Sequence, residues 1–476
     1  MSVVRRMSFV GPACFLVLFT VWLIPEPSIA GNWKLTDRLS TQLIFSDNID
    51  RTADSDAGML VNVRPTINLS GDGARVKGSM AFSPSFSQQI GGGNDSDATL
   101  FLNSNFDAEV YRDVLFVNAR VSAGLSSLSG RSNVGAGDAG AAGNNDTTQT
   151  FTFSVSPEIR NQFRFGKYFD VTPRLTFDTV QNESSSASSS TSTKASIGVD
   201  SGRYFSTFPW SLTFSHEETS YEDRDDTRSI AEGQVRYRIN QRWLARVNAG
   251  VESADVATSR DDTNGPFWSV GGVWTPNVRT LMDFHYGQRY YGPDWALTFE
   301  HATRRTRLTG SFEQNVTNAR QAQLNDSFLP DLNDTGVPSL DLNPALPPLT
   351  SEDYLNTSVR LGIALTGLRT NTALNVGWSQ REYEVSGNSE ETYDVTISGN
   401  RRLGSRYDGK AVVTWQQIDS SVGNDSETYQ FRVGADRTLG RYSSIGLEFS
   451  HYHQDNETTD SITENRITAT FSTSFL

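Results

Sequence analysis

The chain has 476 residues, a formal net charge of −14 and a single cysteine, and it is only 36% hydrophobic and 20% charged. The acidity argues against a nucleic-acid partner, because phosphate recognition needs clustered Lys and Arg. Ser, Thr, Asn and Gly fill the apolar deficit, which favours β structure and turns over a soluble α/β enzyme.

Residues 1–30 read as a cleaved export signal. Arg5 and Arg6 form a positive start, Phe9 to Ile24 an apolar stretch, and Ser28-Ile29-Ala30 offers small residues where a signal peptidase cuts. No apolar run of about 18 residues follows, so a helical membrane protein is excluded. Cys14 falls within the leader, and the mature chain, 31–476, has no disulfide to brace it.

Strict alternation of apolar and polar residues then recurs to the end of the chain. A first strand over Trp33 to Phe45 is followed by a long polar link, Ser46 to Ala57. Val61, Val63, Pro65, Ile67 and Leu69 share one face of the second strand, which the tight Ser70-Gly71-Asp72-Gly73 closes. A long link at Gln88 to Asp97 and a short one at Tyr111-Arg112-Asp113 lead to the run Leu115, Val117, Ala119, Val121 and Ala123. Ser126 to Thr148 is long, Phe165-Gly166-Lys167 short, and the serine-rich Gln181 to Ser192 long. Asn240-Gln241 is short and precedes Trp243, Ala245, Val247, Ala249 and Val251; Ser253 to Asn264 is long and Pro276-Asn277 short. The longest link, Asn318 to Leu349, carries Pro330, Pro338, Pro344, Pro347 and Pro348. Thr366-Gly367-Leu368 is short, Glu382 to Glu391 long, and the last run places Ile467, Ala469, Phe471, Thr473 and Phe475 on one face.

Runs of roughly 10–14 residues suit tilted membrane strands, and links that alternate short and long suit periplasmic turns and external loops. The expectation is an all-β, transmembrane antiparallel β-barrel of about 22 strands (18–20 as the alternative), in one domain over 31–476. Exported through its leader, it belongs in the cell outer membrane. The short turns are basic (Arg112, Arg242, Arg304, Arg369, Arg441), the long loops acidic or neutral (Asp47 to Asp56, Asp455 to Asp460). Two readings of the acidic loops stand open: a surface that meets divalent cations and lipopolysaccharide, or loops kept soluble by charge. Trp210, Trp274, Tyr286, Tyr290 and Tyr291 near strand ends fit interfacial girdles.

The first hairpin carries Ser46-Asp47-Asn48-Ile49 and then Pro65-Thr66-Ile67-Asn68-Leu69-Ser70-Gly71-Asp72-Gly73-Ala74-Arg75. This resembles the outer-membrane β-barrel family associated with PEP-CTERM/exosortase exopolysaccharide systems, related to the porins called beta-barrel porin 2. The resemblance implies a role in surface polysaccharide production or export and supplies no catalytic residue. Barrels of this kind commonly end on an outward aromatic; here Phe475 has that parity but Leu476 is last.

If the apolar parity faces lipid, the opposite parity lines a lumen. The lumen-lining residues expected along a polymer path are Arg120, Arg236, Arg238, Arg246, Asp283, His285, Glu300, Arg305, Arg307, Arg360, Arg432, Asp436 and Arg466. Arginine outnumbers acid here, which suits an anionic or hydrated polymer; cross-strand ion pairs that solvate a water-filled barrel are the plainer reading. Of the five histidines, only His285 has the inward parity, two residues from Asp283 on the same face; with no serine elbow nearby, no catalytic residue is assigned. His451 and His453 share a face but lack a third ligand, so neither a metal nor a cofactor is expected.

Barrels of about 22 strands in natural transporters are plugged. Here the first strand begins just after the leader, so closure falls to long loops such as 318–349, to lumen side chains or to a periplasmic partner. The expected function is a passive conduit for surface exopolysaccharide, with a diffusion porin or a structural anchor for surface polymer as alternatives. Its expected partners are outer-membrane lipid and lipopolysaccharide, the barrel assembly machinery, a periplasmic polysaccharide-export protein and the polysaccharide itself.

Overall fold

The computed structural model describes residues 31–475, apart from 54–55, 91–95, 130–146, 261, 326–347, 424 and 458–459. The leader at 1–30, Leu476 and most of the long link at 318–349 therefore lie outside the described residues. The chain is a closed 22-strand antiparallel β-barrel with almost no helix.

The strands follow one another around the wall. The first are β1 (Gly31–Ser46), β2 (Gly58–Gly73), β3 (Val76–Ile90), β4 (Ser96–Tyr111), β5 (Leu115–Ser127) and β6 (Thr147–Ile159). A short β7 (Phe163–Phe165) continues β6 along the same neighbour after an interruption at 160–162. Then come β8 (Phe169–Asn182), β9 (Ser190–Ser201), β10 (Trp210–Tyr221), β11 (Asp225–Arg238), β12 (Trp243–Asp255) and β13 (Gly265–Asn277). The wall goes on through β14 (Thr280–Arg289), β15 (Gly292–Ala302) and β16 (Thr306–Asn318), a helix α1 (Ala319–Asn325), β17 (Asp353–Thr366) and β18 (Thr370–Tyr383). It ends with β19 (Ser389–Arg402), β20 (Tyr407–Ser420), β21 (Ser426–Thr438), β22 (Ser443–Asn456) and β23 (Ile462–Thr473). Pairing of β1 with β23, Leu39 opposite Thr473 through Ser46 opposite Arg466, closes the ring.

The register confirms the alternation. Phe214 lies opposite Ile197, Val247 opposite Val270, and Phe431 opposite His451, so one parity forms a continuous outer face. On it Phe214, Val247, Trp268, Ile397 and Leu447 are exposed, as residues bathed in lipid must be. Trp243 stacks on Trp274 at 5.6 Å and Phe208 on Tyr237 at 4.8 Å, forming an aromatic girdle at the short-turn end.

Three local expectations change. The tight turn expected at Ser70–Gly73 is still strand, and the turn is Ala74-Arg75. The ladder continues because the Trp33 ring lies against Gly71, where a side chain would collide with it. Two outer connections are shorter than their polarity suggested, 183–189 and 384–388. Polar cross-strand pairs carry the ladder past the apolar belt, as where His453 Nδ1 meets Thr463 at 2.8 Å. Finally, the long link begins with a helix. Asn318 caps it, its Oδ1 accepting the Gln321 N–H at 2.9 Å ahead of Ala-Arg-Gln-Ala-Gln-Leu.

Candidate functional site: the lumen and its two ends

The lumen wall comes from the inward parity of every strand. Register places Arg120, Arg236, Arg238, Arg246, Asp283, His285, Glu300, Arg307, Arg360, Arg432, Asp436 and Arg466 on that parity. Arg305, expected among them, is instead in the turn at 303–305, because β15 already stops at Ala302 and β16 starts at Thr306. Much of the set is internally neutralised. Arg246 forks onto Asp283 at 2.6 and 3.2 Å, Arg307 meets Glu300 at 3.2 Å, and Lys410 sits between Glu448 at 3.0 Å and Asp436 at 3.8 Å. These are the cross-strand ion pairs of the plainer reading. Among the described residues Arg120, Arg236, Arg238 and Arg432 make no ion pair, nor do the inward Glu232, Glu313 and Asp394, so the lumen keeps charged side chains of both signs.

His285 points inward, but its neighbour is not the one sequence proximity suggested. Its Nε2 is 3.7 Å from Asp294 on the next strand, while Asp283 is taken by Arg246. The other four histidines have the outward parity and meet Ser229, Thr280, Asn465 and Thr463 at 2.8 Å. Among the described residues no three His, Cys, Asp or Glu side chains gather as a metal ion would need.

The two ends of the lumen differ sharply. At the outer end the described start of the long link, α1, turns inward instead of standing off the wall. Asn318 donates to Asp353 at 2.9 Å, and α1 crosses toward β6, β8 and β10 on the far wall. There Gln323 reaches Asn182 at 3.1 Å and Thr150 at 3.4 Å, and Arg320 sits 3.6 Å from Glu217 and 3.7 Å from Asp178. Where the link returns, Leu349 packs with Ala187, Ala319 and Leu128, and its backbone bonds Leu128 and Ser188. Arg224 reaches the Ser351 carbonyl and Arg228 the Asp353 carboxylate at 3.2 Å.

Other outer connections close in beside it. Glu384 takes Arg260 at 2.6 and 2.8 Å and Thr258 at 2.9 Å. In the first loop Ile49 packs on Ile44 and Leu60, while Glu464, almost fully buried, holds Ser46, Arg51 and Arg466 at 2.7 to 2.9 Å. Tyr291, expected in a girdle, is buried in this rim instead. Burial pushes the hydroxyls of Tyr290 and Tyr291 above the ordinary phenol range, so both stay neutral donors at physiological pH.

The short-turn end is open and wet. Arg174 and Arg307 are 49% and 63% exposed, against 6% for Arg320 and 8% for Arg466 at the outer end. A shallow cavity of about 560 Å³ lies among the turns around Arg242, Arg279 and Glu300.

Sequence reasoning found the lumen parity and named 318–349 among the elements that could close it, but placed no helix there and none of its partners. The signal available was Asn318 in front of a helix-forming run, inside a link read as structureless. The residues that Arg320 and Gln323 meet are separated from them by more than a hundred positions, and no periodicity connects them.

No family model and no curated protein matches this chain. Solved structures do resemble it. The FrpB iron transporter from Neisseria meningitidis (F3-3 variant) matches at TM-score 0.51 and 10% identity, over 94% of this chain and 82% of that one. A point mutant of the ferric enterobactin receptor PfeA from Pseudomonas aeruginosa matches at 0.50 and 8%, over 93% and 80%. The siderophore receptor PirA from Acinetobacter baumannii matches at 0.50 and 7%, over 92% and 80%. The chain thus has the fold of outer-membrane β-barrels, and that fold implies a place in the outer membrane.

Proposed function

We propose that this barrel is a conduit for surface exopolysaccharide, the role implied by the resemblance of its first hairpin. The observation that carries the reading is a polar lumen open at the short-turn end and crossed at the other by the chain's own α1 and its flanks. A polymer path needs such an arrangement: a wide hydrated channel with a closure that moves aside, since an ungated lumen of this width would breach the membrane. Arg120, Arg236, Arg238 and Arg432 supply positive potential along the way for a hydrated or anionic chain. The energy for transport would come from upstream synthesis and periplasmic machinery, because a barrel of this kind holds no motor. Iron transport is said of the structural neighbours; at 7–10% identity their likeness carries the fold and not the cargo.

The neutralised lumen pairs Arg246–Asp283 and Arg307–Glu300 favour a second reading, a diffusion porin whose wall merely solvates water and small solutes. A deletion strain separates the two. Polysaccharide lost from the surface and accumulating in the periplasm is the outcome expected of a conduit. Unchanged surface polymer, with reduced uptake of small solutes, would sink export and leave the porin.

A further inference from the structure

The short turns are not chemically alike around the ring. Between β2 and β10 four of the cations at or beside them have acidic neighbours, while Arg75, Lys167 and Arg203 make no ion pair among the described residues. Lys77 pairs with Asp72 at 3.0 Å, Arg112 with Asp113 at 3.7 Å, Arg164 with Asp170 at 3.1 Å, and Arg160 with Glu158 at 2.6 Å. From β11 to β22 such pairs are fewer, Arg402 with Asp408 at 3.9 Å among them. Arg242, Arg279, Arg304, Arg305, Arg369 and Arg441 are all exposed, and among the described residues none makes an ion pair. Over turn residues 239–242, 278–279, 303–305, 367–369, 403–406 and 439–442 there is no Asp, Glu or Lys.

Each of five of these turns also exposes one aliphatic side chain: Ile239 at 58%, Val278 at 104%, Leu368 at 94%, Leu403 at 60% and Leu439 at 44%. Ile239, Leu403 and Leu439 directly follow the last outward-facing positions of their strands by parity. At the same level Arg437 lies 5.3 Å from the Tyr407 ring centre and Arg441 5.4 Å from that of Tyr442.

We infer that this arc of turns binds anionic phospholipid in the inner leaflet of the outer membrane. Turns of two to four residues cannot carry their arginines beyond the headgroup layer, so the guanidinium groups lie at phosphate depth. Arginine without lysine fits that site, because its planar fork binds phosphate oxygens in pairs where an ammonium offers a point charge. Ile239, Leu403 and Leu439 continue the outward parity onto the lipid side of the wall, where a leaflet's acyl boundary covers them; a water-soluble acidic partner would leave them wet. Basic residues beside an anionic lipid surface each raise association about fivefold. The opposite arc, with Lys77, Arg112, Arg160 and Arg164 already neutralised, has a weaker preference, and the two arcs should gather different lipids around one barrel. This holds whatever cargo passes through the lumen.

The test uses the folded barrel in nanodiscs of phosphatidylethanolamine containing spin-labelled phosphatidylglycerol or spin-labelled phosphatidylethanolamine. The wild-type protein should immobilise the glycerol lipid at least about threefold more strongly. Replacing Arg242, Arg279, Arg304, Arg305, Arg369 and Arg441 by Gln should abolish that preference, and replacing Lys77, Arg112 and Arg164 by Gln should leave it. Heat-modifiable migration on gels confirms that both variants are folded. Equal immobilisation of the two lipids by wild type overturns the inference, as does equal loss in both variants. Tight binding of polyglutamate to the detergent-solubilised arc, undisturbed by added phosphatidylglycerol, would overturn it in favour of an acidic soluble partner.

Discussion

The outer mouth and the short-turn rim are built from the same residue types and use them in opposite ways. At the mouth Arg320, Arg381 and Arg466 are buried and each faces a carboxylate; at the rim Arg242, Arg279 and Arg369 are exposed and face none. Burial makes the difference. A guanidinium withdrawn from water must be paired and hydrogen-bonded, so mouth arginines hold fixed partners and lock the loops that carry them. A hydrated guanidinium needs no fixed partner and remains available to whatever anion arrives. One end of the barrel is thereby stiffened and shut, the other left open for binding.

That contrast can be broken at its strongest point first. Glu464→Ala leaves Arg466 and Arg51 buried without their carboxylate, and removing one member of such a cluster costs about 3–5 kcal/mol. Urea unfolding in lipid vesicles should show a loss of that order; a loss below about 1 kcal/mol would mean that the cluster is wet. Next, Arg320→Ala combined with Gln323→Ala removes the carboxylate contacts of α1 at 3.6–3.7 Å and its two amide hydrogen bonds to the far wall, the two bonds together contributing about 1–3 kcal/mol. Planar-bilayer recordings should show an open population raised more than tenfold. Unchanged conductance would remove α1 from the closure. The smallest effect sharpens the comparison from the other side. Arg307→Ala breaks an ion pair in which both partners are well exposed, and stability should change by about 0–1 kcal/mol. A larger change would place that part of the lumen out of water.

The wall was legible in the sequence because a strand writes its two faces into alternate residues, and Trp243 to Val251 or Ile467 to Phe475 need no partner to be read. Strand ends were less legible. Once past the apolar belt both faces are polar, and only the ladder itself, as at His451 and Asn465, says how far a strand runs. The lumen set was readable for the same reason as the wall, except at Arg305, where two adjacent arginines in a turn mimic one step of alternation. That the long link could close the mouth was readable from its length, but the contacts that hold it were not. Arg320 with Glu217, Gln323 with Asn182 and Arg260 with Glu384 join residues more than a hundred positions apart, and side chains on different loops share no period. The pairing of His285 failed likewise: a neighbour two residues away on its own strand lost to Asp294 across the ladder.

The seam between β1 and β23 is unlike every other joint in the wall. All the rest link strands that follow one another along the chain, and β1 and β2 are laddered along their whole length from Gly31 to Ser46, but the seam joins only Leu39–Ser46 to Arg466–Thr473. A hairpin can zip as soon as its second arm exists, whereas this joint waits for the last strand to arrive and then brings together residues more than four hundred positions apart. Until that moment the chain is a sheet with two bare edges, exposed to pairing with anything nearby. The barrel therefore becomes a barrel in a single late act, and the eight residue pairs of that seam are where the finished wall can part without opening a hairpin.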